Sequence, residues 1–370
     1  GWYYATYVIV DYFAYNPAMD TIVRYYPTGE DGTLPINLTP EIPTGVTGIG
    51  SYAFQSTAIT GVTIPNTVVT ISEYAFNNNQ LASVVIPNSV TTIAPNAFST
   101  NLLTSVSFGN SLTTIGDWAF YNNVITEVIL PNSVTAIGTY SFYSNLITNV
   151  VLSNNMTTVA DYAFYVNRIT DISFGTSMTS IMAGAFRSNR LVSIIVPSHI
   201  TNLGSRAFQD NLLTSITLGQ NVTIVDTNTI SSTFTTAYNN QGKAAGKYLS
   251  VGTQGSGWYY QPAHIIGHFG YNESMNTIVR YYPTGENGTL PINLTPEIPT
   301  GPTIIGSYAF QGTGVTSVII PNTVTTINEH AFNNNQLTSV AIPNSVTTIG
   351  ANAFSINQLT TVTFGNNLTT

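Results

Sequence analysis

Apolar residues return along this chain on two superposed rhythms. In residues 81–102, LASVVIPNSVTTIAPNAFSTNL, they fall at Leu81, Val84 and Ile86, then at Val90 and Ile93, then at Ala97 and Phe98, with small polar residues between. With Leu81 as position 1, the order returns every 22 residues, so that position 18 is Phe54, Phe76, Phe98, Phe120, Phe142, Phe164, Phe186 and Phe208. A fixed period of this length marks a solenoid, because one coil cannot bury its apolar side alone. Alternation at positions 1, 4 and 6 predicts a half-buried strand, and Pro-Asn or Gly-Asn at positions 7 and 8 predicts a turn. The apolar pair at positions 17 and 18 predicts a short helical turn that carries Ala and Phe inward. The chain therefore reads as an α/β solenoid with a parallel sheet, short helical turns and small β cap segments. Position 21 is Asn79, Asn101, Asn123, Asn145, Asn167, Asn189 and Asn211, and again Asn335 and Asn357. An amide repeated in a tight bend must find partners, so these residues are expected to form a structural ladder bonded to the adjacent coil.

The longer rhythm has an offset of 256: residues 1–114 return as 257–370, and residues 19–45 differ from their copy only at Asp20/Asn276 and Asp31/Asn287. Near-identity of this kind points to tandem duplication. Residues 1–18, rich in aromatics, read as the end of a preceding unit's cap with linker strands. Residues 19–58, punctuated by Pro27, Gly29, Gly32, Pro35, Pro40 and Pro43, read as an N-terminal cap and half-repeat. Residues 59–218 hold the repeats, seven of them complete from Ile59 through Leu212 and an eighth that starts at Leu213. Residues 219–262 lose the Ala-Phe pair and read as a C-terminal cap hairpin around the Gly-rich TQGSG. Residues 263–314 are then the linker and N-terminal cap of the second copy, and 315–370 its repeats, truncated where the first copy continues with IGDWAF. Gly1 leads directly into WYY without a signal-peptide pattern, so a fragment whose targeting sequence lies elsewhere is expected.

Composition narrows the function classes. Only 6% of residues are charged, so solubility rests on Asn, Thr and Ser, and a net charge of -8 with eight basic residues argues against a nucleic-acid partner. There is no cysteine, hence neither a disulfide framework nor a thiolate metal site. No apolar run is long enough for a membrane span. No nucleophile with a nearby base and no phosphate loop is visible, so the expectation is not an enzyme.

The consensus LTSVxIPNSVTTIGxxAFxxN, seen intact at residues 337–357, closely resembles the BspA-like, or Treponema-type, leucine-rich repeats, and residues 233–260 resemble the cap that often ends such arrays. Many members of that family carry Cys at position 21, where this chain has Asn; either residue can serve the ladder. The resemblance implies a right-handed leucine-rich-repeat coil stack in a secreted or surface-displayed protein that binds host or neighbouring-cell components, with no catalytic residues to carry over.

Distinctive residues are confined to the middle coils. Positions 16 and 19 are both aromatic in three successive repeats: Trp118 with Tyr121, Tyr140 with Tyr143, and Tyr162 with Tyr165. On a helical turn, residues three apart share a surface, so the six form a candidate platform for sugar rings or a protein partner, the alternative being rings that shield neighbouring coils. Asp117 and Asp161 beside them are acceptors for sugar hydroxyls. Position 3 carries Glu127, Asn149 and Asp171 in adjacent coils, a candidate oxygen-ligand set for Ca²⁺ or solvated variation on a polar face. Arg168, Arg187, Arg190 and Arg206 are half of the basic residues, placed to meet an anionic glycan or to pair with Asp161, Asp171 and Asp210. His264 and His268 have a metal-like spacing, but no helix is expected there, and no metal site is assigned.

The expected function is a non-enzymatic extracellular or cell-surface adhesin, built from tandem 256-residue units and engaging a glycan or surface protein. The alternative is a structural subunit of a stalk, filament or surface layer that meets further copies of itself. No cofactor other than that candidate Ca²⁺ and no membrane insertion is expected.

Overall fold

A computed structural model of the chain describes residues 7–219, 222–226, 229–240, 246–251, 257–261, 264–272, 274–285 and 290–369. Each period is one coil, and the coils from residue 81 to residue 212 each contribute two short strands rather than one. The first strand occupies positions 3–5, as in Ser83–Val85, Ser105–Ser107, Glu127–Ile129, Asn149–Val151 and Asp171–Ser173. Neighbours pair in parallel, displaced by one whole period, so that Glu127 lies beside Asn149 and Asn149 beside Asp171. The second strand occupies positions 12–13, as in Thr70–Ile71, Thr92–Ile93, Thr114–Ile115 and Ala136–Ile137, again in parallel. Side chains alternate across a strand, so Val84, Val128 and Val150 are buried while their neighbours face out.

The helical turns expected over positions 14–19 are not there. These positions form successive turns, and among the described residues the one helix is Ser232–Asn240. The architecture is a β-solenoid of stacked coils of about 22 residues with almost no helix, which corrects the α/β class. The reason is backbone conformation. Position 16 is left-handed, with φ of 57° at Trp118, 56° at Tyr140 and 53° at Tyr162, and so is position 20, with 53° at Asn122 and 58° at Ser144. An L-residue in that region ends an α-helix. The N–H groups that would have closed helical bonds reach the next coil instead, Trp118 donating to the Thr139 carbonyl at 3.0 Å and Phe120 to that of Ser141 at 2.8 Å. Inward placement of positions 17 and 18 fits a turn as well as a helix, so periodicity could not separate the two.

The core is a column of phenylalanines. Phe54 to Phe208 are at most 1% exposed, and neighbouring rings stack with centroids 4.8 to 5.7 Å apart. Tyr25 adds a first rung, stacking on Phe54 at 4.9 Å while its hydroxyl donates to the Asn37 carbonyl. Tyr25 is carried by an antiparallel meander of Val8–Val10, Phe13–Tyr15 and Thr21–Tyr25, whose last strand pairs in parallel with Gly48–Ile49. The boundary expected after residue 18 falls inside this meander.

The chain divides into two compact units, Gly1–Leu213 with Thr223–Ser231, and Thr214–Val222 with Ser232–Thr370. The second repeats the cap of the first: Phe269–Tyr271 and Thr277–Tyr281 lead into Ile304–Ile305, and Tyr281 stacks on Phe310 at 4.8 Å. It also holds the cap hairpin, in which Gly246–Val251 pairs antiparallel with both Gly257–Gln261 and Ser215–Leu218. The Gly-rich residues 252–256 and the opening GWYY lie outside the described residues. Ser232–Asn240 brings Phe234 and Tyr238 to the buried Tyr248.

Candidate functional site

Position 21 shows what the invariant interior does. Asn123 donates from Nδ2 to the carbonyls of Phe98, Phe120 and Tyr121 at 3.0, 3.2 and 3.3 Å, and its Oδ1 accepts the Leu103 N–H at 3.1 Å. Asn79, Asn101, Asn145, Asn167, Asn189 and Asn211 reach back in the same way to the phenylalanine carbonyl of the preceding coil. Each amide fastens two coils, and its donors and acceptor are satisfied.

On the strand face, Glu127 and Asp171 flank Asn149, and Asn149 Nδ2 donates to Glu127 Oε1 at 2.8 Å. The amide turns its N–H rather than its oxygen toward that carboxylate. Among the described residues, no three His, Cys, Asp or Glu side chains gather as metal ligands. His268 meets the Tyr282 carbonyl through Nδ1 at 2.9 Å.

The six aromatics come together as two columns along the turn edge. At position 16, Trp118 stacks on Tyr140 at 4.2 Å and Tyr140 on Tyr162 at 4.9 Å. At position 19, Tyr121, Tyr143 and Tyr165 stack at 5.1 Å each. The columns meet edge to face, with Trp118 against Tyr121 at 5.1 Å and 89° and Tyr162 against Tyr165 at 5.7 Å and 69°. All six are half-buried. Left-handed backbone at a bulky residue is strained, and mutual stacking holds these rings in place. Their faces are covered by one another, so the surface offered is a row of ring edges and hydroxyls rather than a flat platform. No hydrogen bond ties the five tyrosine hydroxyls to protein groups among the described residues, and none of the five is a buried atom. Partial burial, with the neighbouring tyrosines adding to it, raises the Tyr140 and Tyr143 hydroxyls above the ordinary tyrosine pKa.

Asp117 and Asp161 each accept a backbone N–H of the following coil, from Thr139 at 2.7 Å and Ala183 at 2.8 Å. One oxygen of each is thereby engaged in fastening coils. Of the four arginines, Arg187 pairs with Asp210 at 2.9 Å and lies over the Tyr165 ring at 5.5 Å. Arg168, Arg190 and Arg206 are exposed and make no ion pair among the described residues. Two further features escaped sequence reasoning. Tyr52 and Tyr74 also occupy position 16 and stack at 5.0 Å, a pair visible at the same period but separated from the others by Asn96. Gly184 follows Tyr162 in that column, and a Cβ there would sit 2.3 Å from the Tyr162 ring, so the ring lies directly on the next coil's backbone.

The family model for the BspA type leucine-rich repeat region matches six copies within this chain, over residues 37–147, 119–237 and 293–370. Among solved structures, a leucine rich cell surface protein from Faecalibacterium prausnitzii shares 20% identity over 97% of this chain and 94% of its own, with a TM-score of 0.39. A leucine-rich repeat protein from Bacteroides ovatus shares 21% over 98% and 88%, with a TM-score of 0.40. The pneumococcal vaccine antigen PcpA shares 16% over 98% and 82%, with a TM-score of 0.32. No curated protein matches the chain.

Proposed function

We propose, on the premise that the chain belongs to the BspA-type leucine-rich repeat family, that it is a non-enzymatic surface repeat protein whose turn edge binds a glycan or a surface protein. The supporting observation is the pair of ordered aromatic columns from Trp118 to Tyr165, which the same edge lacks at Asn96 and Ser99 one coil earlier. Stacked rings lose little conformational freedom on binding, and their hydroxyls are already aligned at coil spacing. Among the described residues, no helix is long and apolar enough to cross a membrane. Tandem units separated by 256 residues would multiply weak contacts through effective concentration.

Replacing Trp118, Tyr140 and Tyr162 together with Ala tests this reading. Binding to a glycan array and to whole cells is expected to be lost, with circular dichroism showing the coils intact. Retained binding would remove these coils from the contact surface. The near-identical second copy also suits a fibre that repeats a brick, and electron microscopy of the native surface distinguishes the two, since dispersed monomers speak against the fibre.

A further inference from the structure

The turn edge changes chemistry within two coils, in two columns at once. Position 19 runs from Tyr143 and Tyr165 to Arg187, and position 22 runs from Leu146 to Arg168 and Arg190. Arg168 and Arg190 hang from adjacent coils, their N–H groups bonded to the Ile147 and Ile169 carbonyls at 2.9 and 3.0 Å. Two exposed guanidinium groups at the same position of neighbouring coils repel each other, and a chain with eight basic residues and a net charge of -8 does not place them together by crowding. Neither makes an ion pair with a carboxylate among the described residues. Asp161 is bonded to the Ala183 N–H, Asp210 to Arg187, and Asp171 is exposed on the strand face at position 3. Arg187 itself is held by Asp210 at Nε and by the Tyr165 ring, which leaves its terminal nitrogens without a hydrogen bond to protein groups among the described residues.

Resting on the reading of this edge as a contact surface, we propose that it takes an acidic polysaccharide, laid along the coil axis with sugar hydroxyls on the tyrosine rungs and anionic groups on Arg168, Arg187 and Arg190. Guanidinium forks match carboxylate and sulfate groups with paired hydrogen bonds. The rungs repeat every 4.9 to 5.1 Å, close to the advance per residue of an extended chain of pyranose rings. Side chains on one face of an extended peptide repeat instead at about 6.6 Å. An extended peptide would need unpaired backbone at this edge to add as a strand, whereas the Trp118, Tyr140 and Tyr162 N–H groups are already bonded to the next coil.

The test uses the full chain, isothermal titration and four polymers: polygalacturonate for carboxylate, dextran sulfate for sulfate, neutral dextran, and polyglutamate as an acidic peptide. Polygalacturonate or dextran sulfate is expected to bind more tightly than dextran or polyglutamate, and the stronger of the two identifies the anionic group. The double variant Arg168→Gln with Arg190→Gln is expected to weaken that binding by about tenfold or more, to flatten its salt dependence, and to leave the melting temperature unchanged. Equal affinity for acidic and neutral chains, no binding to any acidic polysaccharide, or an unaffected double variant overturns the proposal. If in those cases the Trp118, Tyr140 and Tyr162 triple variant still abolishes cell binding, the contact surface stands without its acidic ligand; if it does not, both readings fall. Tighter binding of polyglutamate replaces the polysaccharide with an acidic protein.

Discussion

The inside of a coil and its outer turn edge are built from the same 22-residue period, yet they use it in opposite ways. Inside, Phe at position 18 recurs from Phe54 to Phe208 and Asn at position 21 from Asn79 to Asn211, because each rung must fit the one above and the one below. Outside, position 16 passes through Tyr52, Tyr74, Asn96, Trp118, Tyr140, Tyr162, Gly184 and Arg206 with the left-handed backbone unchanged. Interior columns are uniform because stacking selects identity, whereas outer columns need only tolerate one φ. Individuality therefore accumulates on the turn edge, and function is to be sought there.

Breaking an interior rung should have the largest effect. Asn123→Ala removes the bonds to the Phe98, Phe120 and Tyr121 carbonyls and leaves the Leu103 N–H without an acceptor, in a site 5% exposed. With buried unsatisfied groups costing about 1–3 kcal/mol each, the loss should be roughly 3–5 kcal/mol. Denaturant unfolding followed by circular dichroism measures it, and a loss below about 1 kcal/mol would mean that water replaces the amide at little cost.

This contrast also explains what could be read in advance. The period, the coil and the Asn and Phe positions were legible because an interior column leaves a strict spacing in sequence. The helical turns were misread because the inward pair at 17 and 18 has the same spacing in a turn, and a left-handed residue such as Trp118 carries no compositional mark when it is not Gly or Asn. The six aromatics could be placed on one edge from their positions. Whether ring faces or ring edges meet solvent depends on stacking between coils, and that is a property of the fold rather than of any one repeat.

High pH should separate the two regions by a smaller amount. Burial pushes the hydroxyls of Tyr25, Tyr238 and Tyr281 up to about 12, from an ordinary value of 10.0. The unfolded chain loses these protons near 10 and the folded chain retains them to about 12, so their stabilisation is complete below pH 10 and is lost as pH rises through that window. Each such tyrosine should contribute roughly 2–3 kcal/mol. Tyr140 and Tyr143, raised less, should ionise first and without unfolding. Tyrosinate absorbance recorded alongside circular dichroism should thus show an early phase with intact coils and a late phase coincident with unfolding. A single phase would mean that outer and inner rings share one environment.

The smallest effect concerns a place where the interior departs from its own rule. Position 17 is Ala75, Ala97, Ala119, Ala163, Ala185 and Ala207, but Ser141 in the coil of Tyr140 and Tyr143. Ser141 is fully buried and its hydroxyl has no hydrogen-bond partner, while its backbone already bonds Phe120 and Gly138. The hydroxyl therefore gains nothing from water and nothing from protein. Ser141→Ala restores the residue that neighbouring coils use and should stabilise the first unit by about 1 kcal/mol, a rise in melting temperature of about 2–4 °C. Because Ser141 points inward beneath the aromatic columns, glycan or cell binding should not change with it. A lower melting temperature would reveal a bond to the hydroxyl, and altered binding at unchanged stability would show that the interior of this coil sets the outer rings rather than merely supporting them.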